Sequence, residues 1–274
     1  MVYLTNSFLG LGICHELVSE TIGGQALGIT FLNYRQYDSP LPIFSWAVQD
    51  RGLEAVEELL PKMKAEHPDE FTAGIIGWLG REFNEAGMTE EGIAMLEFNV
   101  EEDPQSPGAH ASLAGAYLDQ GNRLTARRYY EKTLVLAEEE AAAREAAAVE
   151  AVADGDADED SDEDEPFDTA PIEWAMEYID AFDKPVAVPA EHLQKLAGNY
   201  DARHFEVRDG GLWYLRDGTS RTEFTKLTPM SEDMFVMEGV IYFRLQFEYD
   251  EQGRPTKVVG LYDSGYRDES MRDE

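Results

Sequence analysis

The sequence repeats itself between residues 73 and 138 at a fixed step of 34 residues. Six positions of the first copy recur in kind in the second copy. The matched pairs are Leu79 and Leu113, Phe83 and Tyr117, Gly87 and Gly121, Gly92 and Ala126, Leu96 and Tyr130, and Val100 and Leu134. A repeat of roughly 20 to 50 residues indicates stacked copies of one supersecondary unit, each of which buries its apolar face against a neighbour.

Within each copy the residue types predict two antiparallel helices joined by a turn. Gly87 and Gly121 mark the turns, and Gly92 and Ala126 are small residues where the second helix crosses the first. A bulky side chain at that crossing would hold the helices apart. The period and these positions resemble the tetratricopeptide repeat, and the resemblance implies an α-solenoid containing two such units.

The inner surface of the repeats is the predicted binding surface. Their register places five residues along a concave groove: Arg81, Asn84, Glu85, Leu118 and Asp119. In tetratricopeptide proteins such a groove typically binds an extended peptide or a neighbouring domain. The resemblance therefore implies a protein or peptide partner, either a separate molecule or another domain of the same protein.

Changes in composition divide the chain into four segments. Residues 1–40 contain a predicted strand and a predicted helix over about residues 11–22. Residues 41–137 hold a helical hairpin and the two repeats. Residues 138–169 are predicted to extend the last repeat helix with Ala and Glu and then to form an acidic, disordered linker. Residues 170–274 predict a short helix and a β domain.

Short β-branched and aromatic runs define the C-terminal segment. They recur about every eight residues and are separated by turn signals such as Asp209-Gly210-Gly211. Seven short strands at this spacing predict a small antiparallel barrel or sandwich. The predicted strands are residues 198–200, 204–208, 212–216, 223–227, 234–237, 241–249 and 257–262. The predicted fold class is therefore α+β, with a helical-repeat region followed by the β domain.

The N-terminal residues carry a second resemblance. The run VYLTNS at residues 2–7, followed by Gly10-Leu11 and by Glu16-Leu17-Val18, is similar to the last strand and last helix of the β-lactamase-related (penicillin-binding-protein-like) serine hydrolases. In many of those enzymes a segment like residues 31–40, a helical repeat region and a small β domain follow. The resemblance implies that residues 1–40 are a remnant of a hydrolase domain that is otherwise missing.

The catalytic residues of that family are not found in this sequence. The family uses a serine nucleophile and a lysine three residues later. None of the seven lysines has a serine three positions before it, and no Gly-x-Ser-x-Gly motif occurs. We therefore predict no catalytic residue and no cofactor, and interpret the chain as a non-catalytic interaction or scaffold tail. Its own missing hydrolase domain is one candidate partner.

Two other interpretations stay open. One is an enzyme or ligand-binding protein whose site lies in the C-terminal β domain. Aromatic side chains there could line a barrel mouth, and the candidates are Tyr200, Trp213, Tyr214, Tyr242 and Tyr249. The other is a stand-alone tetratricopeptide adaptor. An in-frame Ser-x-x-Lys motif upstream of Met1 would favour the hydrolase tail over both. The sequence leaves localisation open.

Charge excludes two classes of partner. A net charge of -34 repels nucleic acid and anionic lipid. Acid excess with few lysines also resembles proteins of salt-loving organisms, which is a hypothesis about the source. No apolar run approaches the length of a membrane span.

Two patterns fall short of metal sites. The run HELVS at residues 15–19 has Ser19 where a zinc protease needs its second histidine. The acidic run at residues 154–165 has Glu159 where a calcium loop needs glycine. No metal site is predicted.

Overall fold

The computed structural model describes residues 2–6, 13–17, 29–31, 39–154 and 166–273. The chain divides into two compact units, Met1–Glu159 and Asp160–Glu274. The predicted acidic linker falls largely outside the described residues. No helix in the described ranges is both long enough and apolar enough to cross a membrane.

Three short strands near the N-terminus form an antiparallel sheet: β1 (Val2–Asn6), β2 (Ile13–Leu17) and β3 (Ile29–Phe31). The middle strand is β2, with Glu16 opposite Tyr3 of β1 and His15 opposite Phe31 of β3. The helix predicted over residues 11–22 is therefore wrong where β2 lies. Pairing with β2 also gives the backbone N–H and C=O groups of β1 hydrogen-bond partners, which a lone strand would lack.

Six helices lie between residues 40 and 154 and stack in pairs. They are α1 (Pro40–Arg51), α2 (Leu53–Glu66), α3 (Ala73–Glu85), α4 (Thr89–Glu102), α5 (Pro107–Asp119) and α6 (Arg123–Asp154). The first pair confirms the hairpin predicted after residue 40. Helix α5 begins 34 residues after α3, and α6 begins 34 residues after α4. Helix α4 packs against α5, so that successive pairs are neighbours.

The repeated pairs share their start and turn signals. The hydroxyl of Thr72 accepts a hydrogen bond from the backbone N–H of Ile75, and the hydroxyl of Ser106 accepts one from Ala109. Both are N-caps, which satisfy a free donor in the first helical turn. The turns use Gly87 at φ +84° and Gly121 at φ +75°, a left-handed conformation that favours glycine.

Apolar side chains between the helices form the core of this unit. Phe44, Leu60, Phe71, Leu79 and Phe83 are almost fully buried, with the Phe44 and Phe71 rings edge to face at 5.5 Å. The predicted extension of the last repeat helix is confirmed, since α6 continues to Asp154. The side chains of α6 are described as far as residue 147, and Ala137 is the last buried one among them.

Between residues 166 and 273, the second unit contains two helices and a nearly closed, barrel-like antiparallel sheet. The helices are α7 (Ala170–Asp183) and α8 (Ala190–Leu196). The strands are β4 (Gly198–Tyr200), β5 (Arg203–Arg208), β6 (Gly211–Arg216), β7 (Thr225–Pro229), β8 (Met234–Met237), β9 (Val240–Tyr249), β10 (Pro255–Tyr262) and β11 (Arg267–Met271). They pair in chain order, and a bridge between Tyr200 and Arg272 links the two ends of the sheet. We call this sheet the barrel.

Seven of these strands overlap the predicted ones, and β11 is the one that the sequence did not suggest. Its residues are Arg-Asp-Glu-Ser-Met, a polar run without the β-branched and aromatic residues typical of strands. Only Ser270 in this strand is buried. Pairing with β10 holds this strand in place, with Asp268 opposite Gly260.

The barrel has an aromatic core. The Phe247 ring lies 4.9 Å from Phe205 and 5.9 Å from Phe235. Helix α7 is fixed to the outside of the sheet by Trp174, whose indole N–H donates to the carbonyl of Ile241 at 2.7 Å. The guanidinium of Arg244 stacks 3.6 Å from the centre of the same indole. This unit therefore holds together around its own core.

Candidate functional site

An open cavity of about 260 Å³ lies between the first helices of the two repeated pairs. Helix α3 contributes Arg81, Asn84 and Glu85 to its lining. Helix α5 contributes Ala111, Ser112, Gly115, Ala116 and Asp119. Four of the five residues that the repeat register placed in the groove therefore line one cavity. We call this cavity the groove.

Leu118 is the exception. It is 4% exposed and is not among the lining residues. It lies 34 residues after Asn84, at the equivalent position of the second pair. In the first pair the backbone of that position faces α4, because a Cβ atom on Gly92 would come within 2.7 Å of the Asn84 nitrogen. An apolar side chain at such a position is buried, whereas the polar amide of Asn84 turns to the groove, where it donates a hydrogen bond to Asp119.

Two hydrogen bonds join α3 to α5 across the groove. The Arg81 guanidinium donates to the Ser112 hydroxyl at 3.0 Å. The Asn84 side-chain amide donates to a carboxylate oxygen of Asp119 at 3.2 Å. These bonds fix the orientation of one cationic and one anionic side chain in the lining.

Glu85 and Asp119 occupy equivalent positions, 34 residues apart, in the two repeated pairs. Equivalent positions face the same way, and both carboxylates line the groove. Burial raises the pKa of Asp119, the charge of Glu85 raises it further, and the hydrogen bond from Asn84 acts against the rise. The ionised Asp119 carboxylate is thus incompletely stabilised by its surroundings. A positive charge placed beside it would stabilise it.

Small residues of α5 leave room in the groove. A Cβ atom on Gly115 would have the Tyr130 hydroxyl oxygen as its nearest neighbour, at an ordinary 3.7 Å. The packing of the helices therefore does not require glycine at this position. Its effect is to keep the groove open, so that an extended backbone can approach α5 closely.

Sequence reasoning missed Ser112 and Gly115, although a signal for both was present. They precede Asp119 by seven and four residues on the same helix. Side chains at such spacings share one face. The face of α5 defined by Asp119 therefore could have identified them.

Other candidates from the sequence are dispersed. Tyr200 is buried in the barrel core, and the Tyr249 hydroxyl donates to the Asp233 carboxylate. Tyr214 and Tyr242 line a separate cavity at one end of the barrel. Within the described ranges, no three His, Cys, Asp or Glu side chains are grouped as metal ligands.

No protein-family model, curated protein or solved structure matches the chain. What it does has therefore to be inferred from its own residues and their arrangement.

Proposed function

We propose that α3–α6 form two tetratricopeptide repeats, preceded by a capping hairpin of α1 and α2, and that the groove binds an extended peptide segment. Three features support this proposal. The helix starts recur after 34 residues, the N-caps Thr72 and Ser106 recur with them, and small residues stand at Gly92 and Ala126 where the paired helices cross. Stacked helix pairs of this kind form concave binding surfaces.

The single observation that carries the proposal is the carboxylate pair of Glu85 and Asp119 in the groove. The raised pKa of Asp119 reflects an unfavourable environment for its negative charge. A lysine or arginine side chain of a bound segment would relieve it, because opposite charges favour each other's ionised forms. We therefore assign a basic residue to the bound segment at this point.

Arg81 provides a second contact of the opposite sign. Its guanidinium donates to a neutral hydroxyl, that of Ser112, in the described structure. A guanidinium presents five N–H donors, so Arg81 retains donors for carbonyl or carboxylate groups of a peptide. A segment with an acidic or carbonyl group near its basic residue would meet both charges of the groove.

The proposal extends to the place of the chain in a larger protein. The resemblance of residues 1–40 to the end of a β-lactamase-like serine hydrolase supports a non-catalytic tail with an interaction role. A basic segment of the hydrolase domain is then one possible occupant of the groove, and a separate protein is the other. A stand-alone adaptor would bind only a separate protein.

The test uses the full chain and a library of fluorescent ten-residue peptides with a central Lys, Arg, Gln or Glu. Fluorescence anisotropy should select peptides with central Lys or Arg. Asp119→Asn should weaken their binding about tenfold, as expected for loss of a charge-assisted contact. Glu101→Gln removes the same charge from an exposed position of α4 and should leave binding unchanged.

Two results would contradict the proposal: equal binding of peptides with central Gln, or an Asp119→Asn variant that binds as tightly as the parent. If basic peptides do bind, peptides from an upstream hydrolase domain, where such a domain is encoded, would distinguish an intramolecular partner from a separate protein.

A further inference from the structure

Arginine side chains lie at one end of the barrel, although the chain carries a net charge of -34. A cavity of about 250 Å³ opens there. Two arginines line it, Arg216 at the end of β6 and Arg221 in the loop that follows. Glu223 is the one carboxylate among the described lining residues. We call this cavity the barrel-end pocket.

Arg216 is linked to a second, buried guanidinium. Arg203 lies opposite Arg216 in the pairing of β5 with β6 and is 0% exposed. Both oxygens of Asp268 accept hydrogen bonds from Arg203 at 2.7 Å. The Arg216 guanidinium lies 3.1 Å from the same carboxylate. One carboxylate therefore serves two guanidinium groups, and one unit of positive charge is left without a matching negative charge in this cluster.

Further contacts of Arg203 are neutral or absent. One of its terminal nitrogens donates to the Ser270 hydroxyl at 2.6 Å. Its Nε has no hydrogen-bond partner among the described residues. Burying a charge is unfavourable unless it is paired and hydrogen-bonded. The excess positive charge of the cluster thus favours an anion nearby.

The field of this cluster reaches the wall of the pocket. Tyr214 lines the pocket. Burial raises the pKa of its hydroxyl, while the hydrogen bond and charge of Arg203 and the charge of Arg216 act against that rise. Arg221 adds a further positive charge, and one of its terminal nitrogens donates to the Met237 sulfur at 3.8 Å. A thioether is only a weak acceptor.

Part of the pocket lining is apolar, while Thr219, Ser220 and Thr225 contribute hydroxyl groups to it. Met237, Val240 and Phe243 line it and are each less than a tenth exposed. Tyr262 packs beside them, with its ring 4.9 Å from that of Phe243. Pockets of this composition, apolar with a few convergent polar groups, are typical of small-molecule sites.

We propose that the barrel-end pocket binds a small carboxylic acid with an apolar or aromatic body. The carboxylate meets the guanidinium groups of Arg216 and Arg221, which match its planar, two-oxygen geometry. The body of the ligand lies against Met237, Val240 and Phe243. A singly charged acid fits better than a dianion, because Glu223 offsets part of the positive charge. This site is independent of the groove.

The test is isothermal titration calorimetry of the full chain with phenylacetate, and with phenylacetamide as the uncharged analogue of the same shape. Phenylacetate should bind saturably, and phenylacetamide should bind at least about tenfold more weakly. Arg221→Gln should reduce phenylacetate binding by a similar factor. Arg267→Gln removes one positive charge from an exposed side chain outside the pocket and should have no effect.

A second readout locates the ligand. With methionine methyl groups labelled for NMR, the Met237 signal should shift on addition of phenylacetate, whereas that of Met95, buried in the helical unit, should not. The proposal is overturned if phenylacetate does not bind, if phenylacetamide binds equally well, if Arg221→Gln binds like the parent, or if Arg267→Gln weakens binding as much as Arg221→Gln.

Discussion

Gly92 lies so close to Gly80 that a Cβ atom on Gly92 would be 2.6 Å from the carbonyl oxygen of Gly80. It would also lie 2.7 Å from the backbone nitrogen of Asn84. Both obstructing atoms belong to the main chain of α3, which cannot turn aside as a side chain can. The contact between α3 and α4 is therefore a backbone contact, and residue 92 has to be glycine for it to form.

Replacing Gly92 with alanine should destabilise the helical unit. The added methyl group would force α3 and α4 apart, and overpacking of this kind lowers the free energy of unfolding by about 1–3 kcal/mol. The measurement is urea unfolding of the full chain, followed by circular dichroism at the helical band.

Gly74→Ala is the matched control for this substitution. Gly74 lies in the first turn of α3, and a Cβ atom there would meet only the Thr72 hydroxyl oxygen at 4.0 Å. Alanine favours helix over glycine by about 1 kcal/mol at an unobstructed position. Gly74→Ala should thus be neutral or stabilising, and equal stability of the two variants would show that the helices are not in backbone contact.

Asp119→Asn should raise the stability of the folded chain at neutral pH. Because the folded-state pKa is raised above the ordinary value of 3.8, the folded chain holds this proton to a higher pH than the unfolded chain does. Stability from this group is full below the unfolded pKa and is lost as the pH rises through the folded pKa. Asparagine at position 119 cannot ionise, so this loss of stability does not occur, and its side-chain oxygen can still accept the hydrogen bond from Asn84.

The gain should shrink as the pH falls towards 3.8, where Asp119 becomes protonated in both states. Melting temperatures of Asp119→Asn and the parent between pH 7 and pH 4 test this dependence. A variant that gains stability while losing affinity for basic peptides would assign Asp119 to binding. A variant that loses stability at neutral pH would contradict the assigned direction of the pKa shift.

The sequence predicted the helical part of the fold well because the information there is local. Helix pairs are specified by apolar periodicity, by N-caps such as Thr72 and Ser106, and by turn glycines such as Gly87 and Gly121. The groove followed from the same register. Only Leu118 was misplaced, since the repeat register does not distinguish an amide that reaches the groove from an apolar side chain that is buried.

The remaining features depend on residues far apart in the chain. Nothing in the residues around Arg203 shows that it will form a buried ion pair with Asp268, which lies 65 positions later. The polar strand β11 forms because β10 is beside it. Similarly, residues 13–17 form a strand between two partners instead of part of the predicted helix. Pairing between distant segments cannot be deduced from local propensity alone.

Gly260→Ala should destabilise the barrel through the buried Arg203–Asp268 pair. A Cβ atom on Gly260 would lie 2.1 Å from an Asp268 carboxylate oxygen and 2.8 Å from a terminal nitrogen of Arg203. Displacing either partner leaves a buried charge poorly paired, which typically costs about 3–5 kcal/mol when one partner is removed outright. We expect a lower melting temperature of the second unit, followed by the fluorescence of Trp174 and Trp213 in a chain whose other two tryptophans are replaced by phenylalanine.

Gly211→Ala in β6 serves as the control for that change. A Cβ atom on Gly211 would meet the flexible end of the Lys226 side chain at 3.2 Å, and that side chain can move. Its effect on melting should be much smaller than that of Gly260→Ala. Similar losses in both variants would mean that the Arg203–Asp268 pair is not the cause.

Sodium chloride should stabilise the chain. With 56 acidic and 22 basic residues, repulsion between carboxylates exceeds the attraction available from ion pairs. Screening weakens that repulsion, because the Debye length falls from about 10 Å at 0.1 M to about 3 Å at 1 M salt. The melting temperature at pH 7 should therefore rise between these two concentrations.

The pH distinguishes screening from other salt effects. Near the sequence pI of about 4.3 the net charge vanishes, so added chloride should change the melting temperature there much less than at pH 7. Sulfate is avoided because it also strengthens hydrophobic burial. If the series at pH 7 is flat or falls, repulsion does not limit stability and the salt-adaptation hypothesis is wrong. The acidity would then favour a basic partner, which is the chemistry that Glu85 and Asp119 present in the groove.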